Sequence, residues 1–301
     1  MPATTHFDPT LASATASSAT VRDYIMLLKP RVMTLVVFSG FAGMMAAPGH
    51  IHPLLGAMAM LFLCIGAGAS GAINMWYDRD IDAIMTRTQN RPIPSGRMVP
   101  EEALSFALAM GFFAIMLMGV FVNWVTAAWL FFAMVFYAIF YTMILKRRTP
   151  QNIVIGGAAG AFPPVIGWAA VTGDVSHPLP WLFFAIIFLW TPPHFWALAL
   201  VSCQDYAKAN IPMLPNTHGE KNTRWQMLIY TLILWGVSVL PWTMGYLNKT
   251  YGIGALVLGG MFTISAIQVL RLKTRKASQL MFGYSILYLF LIFALVIGAQ
   301  W

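Results

Sequence analysis

The segment NMWYDRDID holds three oxygen-bearing side chains, Asn74, Asp78 and Asp82, spaced i, i+4, i+8. On an α-helix they fall within about 80° of one another and extend over about 12 Å. Carboxylates beside hydrocarbon are costly unless paired or used. Mg²⁺ takes oxygen ligands, commonly one or two carboxylates plus substrate phosphates. A Mg²⁺-bridged diphosphate is therefore a natural occupant of this stripe. Asp80 points to the opposite side of the helix and reads as a solvated helix-end acid balanced by Arg79. The following stretch, IMTRTQNRPIPSGRM, supplies Arg87, Arg91 and Arg97, guanidinium forks suited to phosphate oxygens. Arg91 is the strongest of these, because the Arg-Pro step restricts its backbone beside the stripe.

A second group of candidates lies further along. Lys146 and Arg147, with Arg148, form the most compact cationic cluster in the chain and offer more charge for an anion. His194 and Asp205 flank the apolar run FWALALVSCQ. On a continuous helix they would share a face about 16 Å apart in depth, with Asp205 level with the stripe and His194 deep. A buried ionisable residue in an apolar segment is a functional candidate. Trp76, Tyr77, Tyr141 and Trp196 have π faces able to stabilise a cation.

These residues need scaffolding, and the composition says what kind. Fifty-nine per cent of residues are hydrophobic and only 9 % are charged, against roughly 25 % charged in soluble domains. The apolar residues fall in nine blocks long enough to cross a bilayer: about 27–48, 54–77, 101–121, 125–145, 152–172, 180–202, 225–246, 251–270 and 279–300. With the N-terminus inside, every Lys and Arg except Lys249 falls on the inner face, as the positive-inside rule requires. The C-terminus at Trp301 then lies outside. Two long inner loops are expected, roughly 78–100 and 203–224. The net charge of +8 is thus a topology signal, with no nucleic-acid partner expected. Cys64 and Cys203 sit singly in apolar runs and suggest no disulfide framework. Residues 1–24 read as a disordered cytoplasmic tail, without the features of a secretory or mitochondrial presequence, and 25–301 as one transmembrane domain. Gly156, Gly157 and Gly160 offer a small-residue face for close helix packing. Pro163–Pro164 and Pro192–Pro193 should kink or interrupt their spans.

The pattern NxxxDxxxD at Asn74, Asp78 and Asp82 resembles that of the UbiA superfamily of intramembrane prenyltransferases. NRPIPSGR, KRRTPQNIVIGGAAGAFPPVIGW, TPPHFWALAL and DYAKANIPMLP extend the resemblance over roughly residues 25–225 and bring it closest to the haem-farnesylating branch. One departure stands out. The superfamily carries a second acid pair, DxxxD, near the end of the sixth span; here Asp205 is present, but Val201 occupies the partner position. That puts a second carboxylate-built metal site in doubt and favours the haem branch over the quinone branch.

The resemblance implies an all-α, polytopic membrane protein with nine transmembrane helices around a central cavity open to the cytoplasmic side and the membrane. It implies a bacterial inner-membrane enzyme joining farnesyl diphosphate to haem B with Mg²⁺, the bilayer as surroundings and a haem A synthase as candidate partner. Asn74, Asp78 and Asp82 would hold Mg²⁺. Asp78, Asp82, Arg91 and Asp205 would serve catalysis. Arg87, Tyr141, Lys146, Arg147 and His194 would bind substrate, His194 as iron ligand or propionate partner. Rival readings are a prenyltransferase for an aromatic quinone precursor, a transporter with broken helices, and a non-catalytic haem-handling protein.

Overall fold

The computed structural model describes residues 17–300, and every regular element among them is helical. A short helix α1 (Val21–Leu27) leads into α2 (Pro30–Ala46) through a 51° bend. There follow α3 (Pro53–Tyr77), the short α4 (Arg79–Ile84) and α5 (Pro100–Phe121). Helix α6 (Trp124–Val135) continues as a π-helix over Phe136–Leu145. Next come α7 (Asn152–Gly156), α8 (Ala158–Ala161), α9 (Pro163–Thr172), α10 (Pro178–Val201), α11 (Cys203–Lys208), α12 (Leu214–Thr243), α13 (Lys249–Leu272) and α14 (Arg275–Gly298). Among the described residues, eight units are long and apolar enough to cross a membrane, α6 with its π extension and α7–α9 each counting once; the bent pair α1–α2 makes nine.

Local chemistry sets the helix ends. Proline opens α2, α3, α5, α9 and α10, where its missing N–H costs nothing. Asn123, Asn248 and Thr274 cap α6, α13 and α14 by accepting from Thr126, Tyr251 and Ala277 N–H groups. Large side chains such as Leu108, Phe112, Phe131 and Ile264 are more than half exposed, as lipid-facing positions should be. The two largest packed clusters lie mainly on α10 and α12–α14 and on α3, α5, α6 and α9, with two smaller ones toward the inner segments.

The structure amends several boundary expectations. Helix α1 begins at Val21, inside the segment 1–24 expected as tail, and Asp23 and Thr20 close a capping box there. Residues 1–16 of that tail, and Trp301, lie outside the described residues. The stretch 203–224, expected as a loop, carries α11 and the first turns of α12, which bend at Gly219 where φ is +80°. Pro163 does interrupt its span, ending α8 and starting α9. Pro192 and Pro193 lie inside an unbroken α10. Of the three glycines expected on one packing face, Gly156 backs onto Tyr141 and Gly157 onto Thr191, while Gly160 meets open space.

Helix α2 and α9 touch through their backbones. A Cβ on Gly167 would lie 1.8 Å from the Gly40 carbonyl oxygen, and one on Gly43 would lie 2.1 Å from that of Pro164. Both neighbours are main chain and have little room to give. Gly167→Ala should lower stability by about 1–3 kcal/mol, the usual cost of overpacking. Gly160→Ala, which fills open space, should not. Thermal unfolding of the two variants in the same detergent distinguishes them.

Candidate active site

The oxygen stripe survives a break in its helix. Helix α3 stops at Tyr77, and Asp78 stands between α3 and α4. The i→i−4 bonds nevertheless continue, from Asp78 N–H to Asn74 O at 2.9 Å and from Asp82 N–H to Asp78 O at 2.8 Å. Register is therefore kept. Asn74, Asp78 and Asp82 are all buried, Asp78 completely.

Each of the three is met by positive charge. Asn74 Nδ2 donates to Asp78 Oδ2 at 2.7 Å and to Thr142 Oγ1 at 3.1 Å, and its Oδ1 accepts from Lys29 Nζ at 2.7 Å. The Lys146 ammonium donates to Asp78 Oδ2. Arg147 Nη2 approaches Asp78 Oδ1 at 3.4 Å. Asp82 Oδ2 accepts from Arg91 Nη1 at 2.5 Å. Burying a carboxylate without such partners would cost several kcal/mol, so the cations are a condition of the stripe's position.

Asp80 plays a different part from the solvated acid expected of it. It faces away from the stripe, but it takes Arg147 in a two-point grip at 2.6 and 2.7 Å. That hydrogen-bonded guanidinium holds the Asp80 carboxyl below the usual carboxylate range. Arg147 also lies over the Tyr77 ring, 5.0 Å from its centre. Asp80 and Tyr77 thus aim Arg147 at Asp78.

The other candidates divide. Asp205 is brought to the same end of the bundle: its Oδ1 accepts from Thr86 Oγ1 at 3.2 Å. It does so from α11, because α10 ends at Val201, Ser202 separates the two helices, and the continuous-helix relation to His194 does not apply. Ile81, Met85, Ile153, Ala199, Tyr206 and Met213 pack as an apolar cluster joining the two inner segments. Arg87 lies near Tyr206, whose phenol burial pushes up while the Arg87 charge opposes the shift. Arg97 leaves the stripe and pairs with Asp23 at 2.9 Å, clamping α1. Tyr141 stacks on Tyr137 at 5.5 Å. Trp196 is core: wholly buried, it meets Tyr230 edge-on at 5.5 Å. Trp76 sits under Arg79 at 5.3 Å. His194 is apart from this cluster, on the α10–α14 seam beside Ser285.

Three contributors escaped the sequence reading. Lys29 appeared only as a topology charge, although a lysine immediately before Pro30 and an apolar run is a readable signal. Its stem passes Gly71, where a Cβ would stand 3.3 Å from Lys29 Cδ. Tyr137, whose hydroxyl lies 3.5 Å from Lys29 Nζ, and Thr142 belong to the π-helix. There Thr142 Oγ1 donates to Tyr137 O at 2.8 Å and Lys146 N–H to Tyr141 O at 2.9 Å. Spacing arguments at 3.6 residues per turn do not find a wider turn.

Among the described residues, no three His, Cys, Asp or Glu side chains form a metal-binding group. The protein offers two buried carboxylates and an amide, with four basic side chains around them. That donor set suits Mg²⁺ shared with an anionic phosphate ligand better than a closed protein cage.

Residues 35–295 match the model of the UbiA prenyltransferase family. This chain belongs to the UbiA prenyltransferase family. Among UbiA relatives, "Protoheme IX farnesyltransferase" of Rhodopseudomonas palustris (strain BisB5) is 54 % identical over 95 % of this chain and 93 % of its own length. "Protoheme IX farnesyltransferase 2" of Mesorhizobium japonicum is 57 % identical over 92 % of this chain and 90 % of its own. In fold, the chain is similar to a digeranylgeranylglyceryl phosphate synthase (TM-score 0.77, 16 % identity, covering 93 % and 98 % of the two chains). It is also similar to a UbiA homologue from Archaeoglobus fulgidus bound to GPP and Mg²⁺ (TM-score 0.66, 15 % identity, 92 % and 99 %).

Within this UbiA site the Asp82–Arg91 pair is open to a direct test. Arg91→Met leaves Asp82 buried without its partner and should cost about 3–5 kcal/mol. Asp82→Asn added to it should recover part of that loss. A double-mutant cycle by thermal unfolding measures the coupling, and additive losses would contradict the pairing.

Proposed function

We propose that this chain transfers a farnesyl group from farnesyl diphosphate to a vinyl group of haem B, giving haem O with its hydroxyethylfarnesyl arm. The buried row Asn74–Asp78–Asp82 ringed by Lys29, Lys146, Arg147 and Arg91 carries the prenyl-diphosphate half of the reading. The names of relatives more than half identical to this chain carry the acceptor half. The stripe end is cytoplasmic and the far end periplasmic, following the basic residues.

In this reading Asp78 and Asp82, with Asn74, hold Mg²⁺, which when bound neutralises charge on the departing diphosphate. Lys146, Arg147, Arg91 and Lys29 take the remaining phosphate oxygens, stabilising the leaving group where its charge develops. Arg87 and Asp205 close the site from the loop after α4 and from α11. As the farnesyl C–O bond breaks, an allylic cation forms. The terminal vinyl carbon of haem attacks it, placing a new cation on the ring-adjacent carbon. Water adds there and loses a proton. Haem O, diphosphate and a proton result. No general base is required for the carbon–carbon bond. The π faces of Tyr137 and Tyr141 beside the cluster suit the first cation, and the surrounding apolar helices keep water from it.

Purified protein incubated with farnesyl diphosphate, Mg²⁺ and haem B should yield a haem heavier by one farnesyl and one hydroxyl group, detected by mass spectrometry. Hydroxybenzoate in place of haem B should yield nothing, and prenylation of that acceptor alone would overturn the reading. Asp78→Asn should lower turnover by roughly 10²-fold or more, the scale of losing an electrostatic contact to a developing charge. Asp80→Asn, acting only through Arg147, should cost about ten-fold or less on the same scale. Chelation of divalent metal should abolish turnover and Mg²⁺ should restore it.

A further inference from the structure

His194 lies in the middle of α10, away from the diphosphate cluster, and its surroundings fix it on every side but one. Its ring is stacked between Trp190 (centres 4.2 Å apart, planes at 18°) and Phe282 of α14 (4.6 Å, 22°). Nδ1 lies 2.6 Å from Ser285 Oγ. Trp190 Nε1 donates to the Ser285 carbonyl at 2.8 Å, which locks α10 to α14 at this level.

Ser285 Oγ stands between two possible partners for its proton. Ser285 has one hydroxyl proton, and its Oγ also lies 2.6 Å from the Phe282 carbonyl oxygen, a group that can only accept. With that proton given to Phe282, Ser285 Oγ meets His194 Nδ1 as an acceptor. In that arrangement Nδ1 carries the hydrogen and Nε2 the lone pair, and this is the tautomer the proposal uses. Nε2 has no hydrogen-bond partner among the described residues, yet it is not among their sealed, unsatisfied atoms. An intramembrane ionisable side chain of this kind faces a bundle interior or cavity rather than lipid. An imidazole whose Nδ1–H is tied and whose Nε2 lone pair is presented to a ligand has the arrangement that metal-binding histidines use.

The structure assigns His194 as the axial ligand of the acceptor's iron. Trp190, Phe282 and Ser285 are the residues that orient it. This rests on the haem-acceptor reading above. Counting residues at 1.5 Å each, His194 lies about 10 Å inward from the end of α10 at Val201, and Ser285 about 15 Å inward from Arg275. The ligand thus grips the acceptor deep in the bundle, below the polar mouth where the diphosphate binds. Coordination fixes one point of the macrocycle and the stacked rings fix the angle of the bond.

The test is a haem B titration of detergent-purified full-length protein followed by visible absorption and electron paramagnetic resonance. Wild type should show the bands of imidazole-ligated haem. His194→Ala should lose them and bind haem at least ten-fold more weakly, while binding farnesyl diphosphate like wild type. His194→Gly should regain the bands when free imidazole is added. Ser285→Ala should keep the bands but weaken haem binding by roughly ten-fold, the scale of losing a partner behind a metal ligand. Wild-type spectra from a folded His194→Ala would overturn the ligand assignment alone, even if turnover fell, because His194 would then act on water or propionate instead. Failure of wild type to take up haem B would overturn this assignment together with the acceptor reading. Loss of farnesyl diphosphate binding in His194→Ala would likewise count against it, by showing a structural role.

Discussion

Two carboxylates buried at the edge of a hydrocarbon layer have to be matched by positive charge, and most of the architecture around them answers that requirement. Asp78 and Asp82 are almost inaccessible. The cations that match them come from separate segments: Lys29 before α2 acts through Asn74, Arg91 comes from the loop after α4, and Lys146 and Arg147 follow the π-helix. No single helix can satisfy the stripe. Its stability ties four stretches of chain to one point, and the long, apolar spans are the means of bringing them there. The same arithmetic favours an anionic ligand. Four basic side chains stand around three carboxylates, one of them half-exposed Asp80, so the cluster leans positive before any substrate arrives. A Mg²⁺–diphosphate unit can replace cation–carboxylate contacts with metal–carboxylate and cation–phosphate contacts, and no charge is left uncompensated in the exchange.

The geometry depends on departures from regular helix. The break at Asp78 turns the chain without losing the i→i−4 bonds that keep Asn74, Asp78 and Asp82 in register. The π-helix widens the turn on which Tyr137, Tyr141 and Thr142 sit, so residues four and five apart reach the same cluster. Gly156 lets Tyr141 lie against α7, where a Cβ would come within 2.1 Å of the ring. Backbone contact between α2 and α9 holds the helix that Lys29 precedes. These local irregularities sit where the chemistry is proposed, as is common for π-turns and interrupted spans.

The spans were legible because lipid imposes a simple rule on composition, and the block boundaries from about 54 to 202 fall within a few residues of the helices. The acid stripe was legible because its spacing is helical and the two backbone bonds across Asp78 preserve that spacing. Lys29 was hidden by its resemblance to an ordinary topology charge. Tyr137 and Thr142 were hidden by the π-turn. Asp80 was placed on the correct face but its hold on Arg147 depends on a contact between residues 67 apart, which no local pattern contains. Arg97 and Trp196 had suitable chemistry, but tertiary partners, Asp23 and the α10–α12 core, claimed them. The helical start of α12 at Leu214 was masked by polar residues and by Gly219, both of which argue for loop when read without their neighbours.

The division between a charged mouth and an apolar interior has a consequence for the order of bond making. Diphosphate departure needs strong fixed charge, whereas the allylic cation it leaves must be kept from water until an alkene reaches it. A soluble enzyme would have to build both environments from its own core. Here the membrane edge supplies the boundary: the acids and bases lie at the helix ends, and the tyrosines stand at the start of the apolar region. Val201 extends that apolar region to the inner end of α10. Asp205 remains at the mouth but is bonded to Thr86, which joins the two inner segments. Anionic charge is thus concentrated on α3–α4, and α10 is left apolar down to its inner end at Val201.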